Sequence, residues 1–148
     1  MAVSAISLPE PKNYIKGVST FAKMSLYATD IGSGATDVVI ANIASSDLFV
    51  RRVYTRVQTA FPAGCRLDIG DDADSDRWMT CGLVGATTAG DSNGYWKTGT
   101  SDAAGVDGVA KQYTEGSDQS IKLGVSNAEV GTSGQLDVLI EYMMIESR

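Results

Sequence analysis

The feature that most constrains this chain is its rhythm: short segments of alternating side chains, each stopped within a dozen residues by glycine, aspartate or serine. Phe21, Lys23, Ser25 and Tyr27 alternate with Ala22, Met24, Leu26 and Ala28 before Asp30-Ile31-Gly32-Ser33-Gly34 breaks the run. Asp37-Val38-Val39-Ile40-Ala41-Asn42-Ile43 follows, then the turn Ala44-Ser45-Ser46-Asp47 and the longest alternating segment, residues 48–59. That segment sets Phe49, Val53 and Val57 against Arg52, Tyr54, Arg56 and Gln58, the pattern of a sheet with one buried and one wet side. Near the end, Leu136, Val138, Ile140, Tyr142 and Met144 share one face, while Asp137 and Glu141 mark a second that Leu139, Met143 and Ile145 make partly apolar. No stretch keeps a helical period with a cap and an adequate length, although a helical turn near residues 127–130 or in the N-terminal segment fits the pattern. The predicted fold is all-β: an antiparallel, jelly-roll-like sandwich or barrel of about eight strands.

The chain length of 148 residues suits one domain, and an apolar content of 43% is enough to fill its core. Residues 1–17 stand apart from residues 18–148. They have no clear period, and Pro9-Glu10-Pro11 holds the backbone away from helix, so an extended N-terminal arm is predicted. Residues 85–107 form a long Gly-, Thr-, Ser- and Asp-rich loop, and loops of that length in compact domains are usually functional or mobile.

Net charge and residue types exclude several function classes. At −6 the chain lacks the overall basic character of a general nucleic-acid grip. It contains no histidine, which removes Ser-His-Asp and Cys-His catalysis and His-ligated zinc. The two cysteines, Cys65 and Cys81, are too few for a disulfide framework or a Cys-only zinc site. Each alternates with apolar neighbours, Cys65 with Leu67 and Ile69, Cys81 with Met79 and Leu83. Both are expected to act as small core hydrophobes and free thiols in preference to a disulfide, whose Cα separation the spacing leaves open. The N-terminus has no basic stretch of a signal peptide, and no apolar run approaches membrane length. The expectation is a protein made in a cytoplasm, with no membrane and no nucleic acid among its partners.

The strongest candidate for chemistry is Leu67-Asp68-Ile69-Gly70-Asp71-Asp72-Ala73-Asp74-Ser75-Asp76-Arg77-Trp78, which holds five carboxylates between two strand-like segments. Asp72, Asp74 and Asp76 alternate as in the opening of an EF-hand calcium loop. The sixth position, however, is Arg77 where glycine is needed, and the twelfth is Leu83 where a bidentate glutamate is needed. A solvated hairpin tip, in which aspartates accept backbone N–H bonds, is the better reading. Glycoside hydrolysis would need two acids flanking an aromatic-lined groove, and only Trp78, Tyr95 and Trp96 could line one. Gly82-Leu83-Val84-Gly85 and Gly131-Thr132-Ser133-Gly134 lack the lysine of a phosphate loop. No catalytic residue, metal ligand or cofactor site is predicted, and the chain is expected not to be an enzyme.

Protein contacts are the remaining class. The arm carries Val3, Ile6, Leu8, Tyr14 and Ile15 beside Pro9 and Pro11, apolar groups that a disordered tail seldom needs, so it is a candidate to lie across a neighbouring subunit. Tyr95-Trp96 places two large aromatics in the polar long loop, a composition typical of protein-contact anchors. Arg51, Arg52 and Arg56 are expected to pair with cross-strand acids such as Asp137 or Glu141.

Taken in series, the segments resemble the small tailed-bacteriophage virion proteins that include capsid decoration, or cement, proteins. The resemblance rests on Thr55-Arg56-Val57-Gln58-Thr59-Ala60-Phe61-Pro62-Ala63-Gly64, the turn Leu67-Asp68-Ile69-Gly70-Asp71 with Asp74-Ser75-Asp76-Arg77-Trp78, then Tyr113-Thr114-Glu115-Gly116-Ser117-Asp118, and the closing Leu136-Asp137-Val138-Leu139-Ile140-Glu141-Tyr142. It spans residues 48–142, and its motifs are turns and strands, not catalytic signatures. It implies a jelly-roll-like β core and a homotrimer on the capsid exterior that reinforces the major capsid protein. The alternative it leaves open is a tail, fibre or spike module contacting a host glycan or protein.

Overall fold

A computed structural model describes residues 5–8, 15, 17–31, 38–43, 48–62, 66–75, 77–83, 97–98, 111–113, 119–126 and 133–145. Strands β1 (Ile6–Leu8), β3 (Val38–Ile43), β5 (Arg66–Asp71), β6 (Met79–Leu83) and β9 (Gln119–Ser126) form sheet A, in the order β1-β3-β9-β5-β6. Sheet B runs β2-β10-β4-β7, from β2 (Thr20–Tyr27), β10 (Gln135–Met144), β4 (Leu48–Thr59) and β7 (Lys97–Thr98), and β8 (Lys111–Tyr113) also pairs with β4. Since β10 occupies one edge of β4, β7 and β8 share the other at different heights, opposite Tyr54-Thr55 and Leu48-Phe49-Val50. The chain is thus an all-β, jelly-roll-like sandwich. It has ten strands among the described residues, of which β7 and β8 are too short to show a period.

The core lies between the sheets. Sheet A contributes Leu8, Ile40, Ile43, Ile69, Ile121 and Leu123, and sheet B contributes Ala22, Leu26, Leu48, Val53, Val57 and the inner row of β10. That row is Leu136, Val138, Ile140, Tyr142 and Met144, every member buried, as the period of two predicts. Between β2 and β4, β10 is the central strand of sheet B, paired antiparallel on both sides. Being central, it buries part of its outer face as well.

Bulges at Arg51 and Ile40 are among those that alter the faces simple alternation assigns. Opposite β10 the register steps from Glu141↔Arg52 to Tyr142↔Val50, so Arg51 is an extra residue. The bulge turns Arg51 and Arg52 both outward and inverts the parity before it. Val50 is therefore buried, and Phe49 is only half-buried beside Met143, which corrects the expectation that Phe49 shares a face with Val53 and Val57. Without the bulge, Arg51 would share the buried face of Val53 and leave a guanidinium in the core. On β3 the register steps from Val39↔Lys122 to Ala41↔Ile121, and the extra residue Ile40 is buried together with Ala41.

A helical turn falls at α1 (Ala28–Ile31), which the sequence did not single out; residues 127–130, where one was expected, lie outside the described residues. It begins where β2 ends. The Tyr27 N–H donates to Asp30 Oδ2 at 3.3 Å, the third residue of the helix satisfying a free donor at its start.

Part of the arm folds onto its own chain. β1 pairs parallel with β3, Ile6 opposite Ala41 and Leu8 opposite Ile43, and is the single parallel pair among the described strands. Leu8 is fully buried and Ile6 packs against the same core.

Candidate functional site

The acidic turn is a closed structure built on Asp71, the last residue of β5. The Asp71 side chain is wholly buried, and four donors converge on it. Oδ1 accepts the backbone N–H of Ala73 (2.9 Å) and of Asp74 (3.0 Å), which coils the chain into the turn. Oδ2 accepts Arg77 Nε at 2.8 Å and the Tyr113 hydroxyl at 2.9 Å. A carboxylate has about four acceptor positions, so these bonds saturate it. The backbone supports the same shape: the Asp71 N–H donates to the Asp74 carbonyl and the Trp78 N–H to the Ile69 carbonyl, both at 2.8 Å. Gly70 is required because a Cβ there would run into the backbone of Asp74 and Ser75.

The other described carboxylates of the turn are also engaged. Asp72 accepts the Ser120 N–H at 2.8 Å and pairs with Lys122 Nζ at 2.5 Å, fastening the tip to β9. The Lys122 hydrogen bond holds its carboxyl below the ordinary aspartate range against the opposing effects of burial and the Asp71 charge. Asp74 lies 3.9 Å from Arg77 Nη2. Among the described residues no group of three or more histidine, cysteine, aspartate or glutamate side chains could hold a metal ion. Asp76 lies outside the described residues, as do Cys65 and the side chain of Cys81, and with them the question of a disulfide.

Tyr113 ties this turn to the opposite sheet. It sits on β8 against Leu48 of β4, is buried, and reaches across the sandwich to Asp71. Burial, with the Asp71 charge and hydrogen bond, pushes its phenol far above the ordinary tyrosine value. Trp78 is buried beside it, with the Tyr113 hydroxyl the polar group that its indole N–H approaches.

A second polar cluster lies on the outer face of sheet B. Asp137 accepts Ser25 Oγ at 2.6 Å on Oδ1, and Arg56 Nη2 at 2.8 Å and Gln58 Nε2 at 2.9 Å on Oδ2, with Lys23 Nζ 3.8 Å away. Burial raises its pKa, but the hydrogen bonds from Ser25, Gln58 and Arg56 and the Lys23 charge outweigh that effect and hold it below the ordinary range. Glu141, two outward positions along β10, accepts the Tyr54 hydroxyl at 3.1 Å and lies 3.5 Å from Arg51 Nη1. The expected pairing of arginines with Asp137 and Glu141 is therefore present for Arg56 and Arg51. Arg52 is exposed and makes no ion pair among the described residues.

Of the contact candidates read from the sequence, Leu8 is spent on this chain's own core, because β1 is a strand of sheet A, and Ile6 packs on that core as well. Ile15 is 70% exposed. Val3, Pro9, Pro11, Tyr14, Tyr95 and Trp96 lie outside the described residues, as does most of the 85–107 loop. Sequence reasoning missed Val18, Phe21 and Tyr27 as exposed apolar groups; the outward parity of Phe21 and Tyr27 on a strand that carries Lys23 and Ser25 was the available signal.

No protein-family model matches the chain, and no curated protein matches it. Its fold is nevertheless shared with solved structures. A chain of the capsid asymmetric unit of cyanophage Pam1 superposes with a TM-score of 0.58 at 16% identity, covering 94% of this chain and 93% of that one. A chain of the acidic stable capsid of Helicobacter pylori bacteriophage KHP30 gives 0.57 at 14% identity, covering 89% and 92%. At such identities the likeness is one of fold, and it extends over nearly the whole of each chain.

Proposed function

We propose that this chain is a structural protein of a phage virion: a decoration protein that binds the outside of the head as a homotrimer and reinforces the major capsid protein. The observation that carries the reading is the shared fold, which accounts for 94% of this chain in a single chain of a phage capsid structure. The turn and strand motifs that resemble decoration proteins point the same way. Asp71, the buried carboxylate of the turn, is bound by donors, as a structural anchor should be, and offers no free acid for hydrolysis. The role proposed is structural, with neither catalysis nor a cofactor invoked.

Mixing the purified protein with cognate heads lacking it, followed by electron microscopy, tests this directly. Density on the exterior of the head, together with heads more resistant to heat, is the expected result. Density on the tail or baseplate would assign the chain to a tail, fibre or spike role, and no binding to any part of the virion would overturn the proposal.

A further inference from the structure

Three large apolar side chains that are half exposed or more gather at the start of β2: Ile15 (70%), Val18 (50%) and Phe21 (53%), in the strand or the turn that leads into it, while Tyr27 (49%) lies at its far end opposite Gln135. That turn is pinned to the end of β10: the Gly17 N–H donates to the Met144 carbonyl at 2.8 Å and the Val18 N–H to the Ile15 carbonyl at 3.0 Å. Arg51 reaches over the same end of β10, its Nη1 donating to Ser19 Oγ at 3.0 Å. The apolar groups and the Arg51-Arg52 bulge therefore border one surface, the outer face of sheet B, and β2 is the edge of that sheet among the described strands. Isolated exposed apolar residues need no explanation, but a cluster beside arginines has the composition of a protein interface.

The charge of this face differs in sign from that of the chain. Among its described side chains it carries four cations, Lys23, Arg51, Arg52 and Arg56, against two acids, Asp137 and Glu141. It is thus positive by two in a chain of net charge −6, so the remaining surface is strongly negative. Both acids are already committed within the face, to Lys23 and Arg56 at Asp137 and to Arg51 at Glu141. Arg52 is left with its charge unopposed among the described residues.

We infer that the outer face of sheet B, from the 15–18 turn and Phe21 to the Arg51-Arg52 bulge, is an interface that takes an acidic surface of a second copy of this chain. The inference deepens the virion reading and rests on it only in treating the chain as an assembling protein. A second copy supplies the complementary negative charge, whereas nucleic acid would be repelled by the chain as a whole and would leave the apolar groups unused. The contact is heterologous: two such faces laid on each other would set arginine against arginine, so a different, acidic patch of the neighbour must meet this one. Head-to-tail contacts of that kind close into rings when the rotation permits.

The test uses purified protein, light scattering and two variants. Arg52→Glu reverses a charge that makes no ion pair among the described residues, and Phe21→Ser with Val18→Ser removes exposed apolar area; circular dichroism checks that each remains folded. The expected result is an assembled wild-type chain, with association weakened at least about tenfold in each variant. A wild-type chain that stays monomeric at high concentration, or variants that assemble as well as wild type, would overturn the inference. Binding of a labelled oligonucleotide by the wild type that is lost in Arg52→Glu, without any change in assembly, would assign the face to nucleic acid instead. A monomer that still decorates heads sinks the interface and spares the virion role; an oligomer absent from virions does the reverse.

Discussion

The Tyr113 hydroxyl donates to Asp71 Oδ2 at 2.9 Å, joining β8 of one sheet to the end of β5 in the other through the core of the sandwich. Both groups are buried, so the bond has no water to replace it. Tyr113→Phe keeps the ring packing and removes only the donor. It is expected to cost about 1–3 kcal/mol in urea denaturation at neutral pH. The sign of the pH effect follows from the raised phenol: the folded state favours the neutral form, so this contribution is intact below the unfolded-state value of 10.0 and declines as pH rises beyond it. A stability profile between pH 8 and pH 11 that is flat for Tyr113→Phe and falls for the wild type is the expected comparison, if the other tyrosines are matched.

Asp71 is the harder residue to lose. Asp71→Asn keeps an oxygen for the Ala73 and Asp74 N–H groups but sets an amide N–H₂ against Arg77 and Tyr113, both of which donate. Removing one partner of a buried ion pair costs about 3–5 kcal/mol, and a marginally stable domain of this size can unfold on that loss. Thermal melts of the variant should show a large drop in Tm. Calcium and chelator should leave the wild-type melt unchanged, because the Asp71 oxygens that a cation would need already accept four donors. A rise in Tm on adding calcium would contradict the arrangement described above.

These residues also mark how far the sequence could be read. The alternation along β10 identified its inner row in full, because apolar burial repeats every second residue in a strand that itself carries no extra residue, and the bulges opposite it lie on β4. It failed at Phe49, since the extra residue at Arg51 shifts parity and a bulge depends on a partner strand far away in sequence. The acidic turn was legible as the tip of a hairpin between β5 and β6. That Asp71 would meet Tyr113, 42 residues further on, was not, because a partner so distant in sequence leaves no local signal. The arm was read as extended, and β1 is extended; its docking as a parallel strand on β3 is a tertiary choice that three residues cannot announce.

Gly134 offers a test of backbone conformation. Its φ of 138° belongs to a region that side chains rarely adopt, and a Cβ added there would lie 2.5 Å from the Phe61 ring. Gly134→Ala should therefore cost about 1–3 kcal/mol from backbone strain, with displacement of the buried Phe61 adding to it. A companion Phe61→Leu variant separates the two contributions. If the ring clash dominates, the alanine costs less in the Phe61→Leu background; if φ dominates, the cost is unchanged. Equilibrium denaturation of the four chains in this cycle gives the answer.

Acid sensitivity should reside in Asp137 and Asp72, whose carboxyls are both held below the ordinary range, Asp137 by Ser25, Gln58 and Arg56 and Asp72 by Lys122. A carboxyl with a depressed folded-state pKa contributes its full stability above the unfolded value, 3.8 for each, and loses it as pH falls through the lower folded value. The chain should accordingly hold its stability down to about pH 4 and lose it below. Asp137 is the larger contributor, because its side chain is 2% exposed while that of Asp72 is 37% exposed and screened by water. Asp137→Asn should lower stability at pH 7 and flatten its decline between pH 4 and pH 2, whereas Asp72→Asn should change both only slightly. Denaturation midpoints across that range, compared among the three chains, check the assignment, and an Asp137→Asn profile parallel to the wild type would refute it.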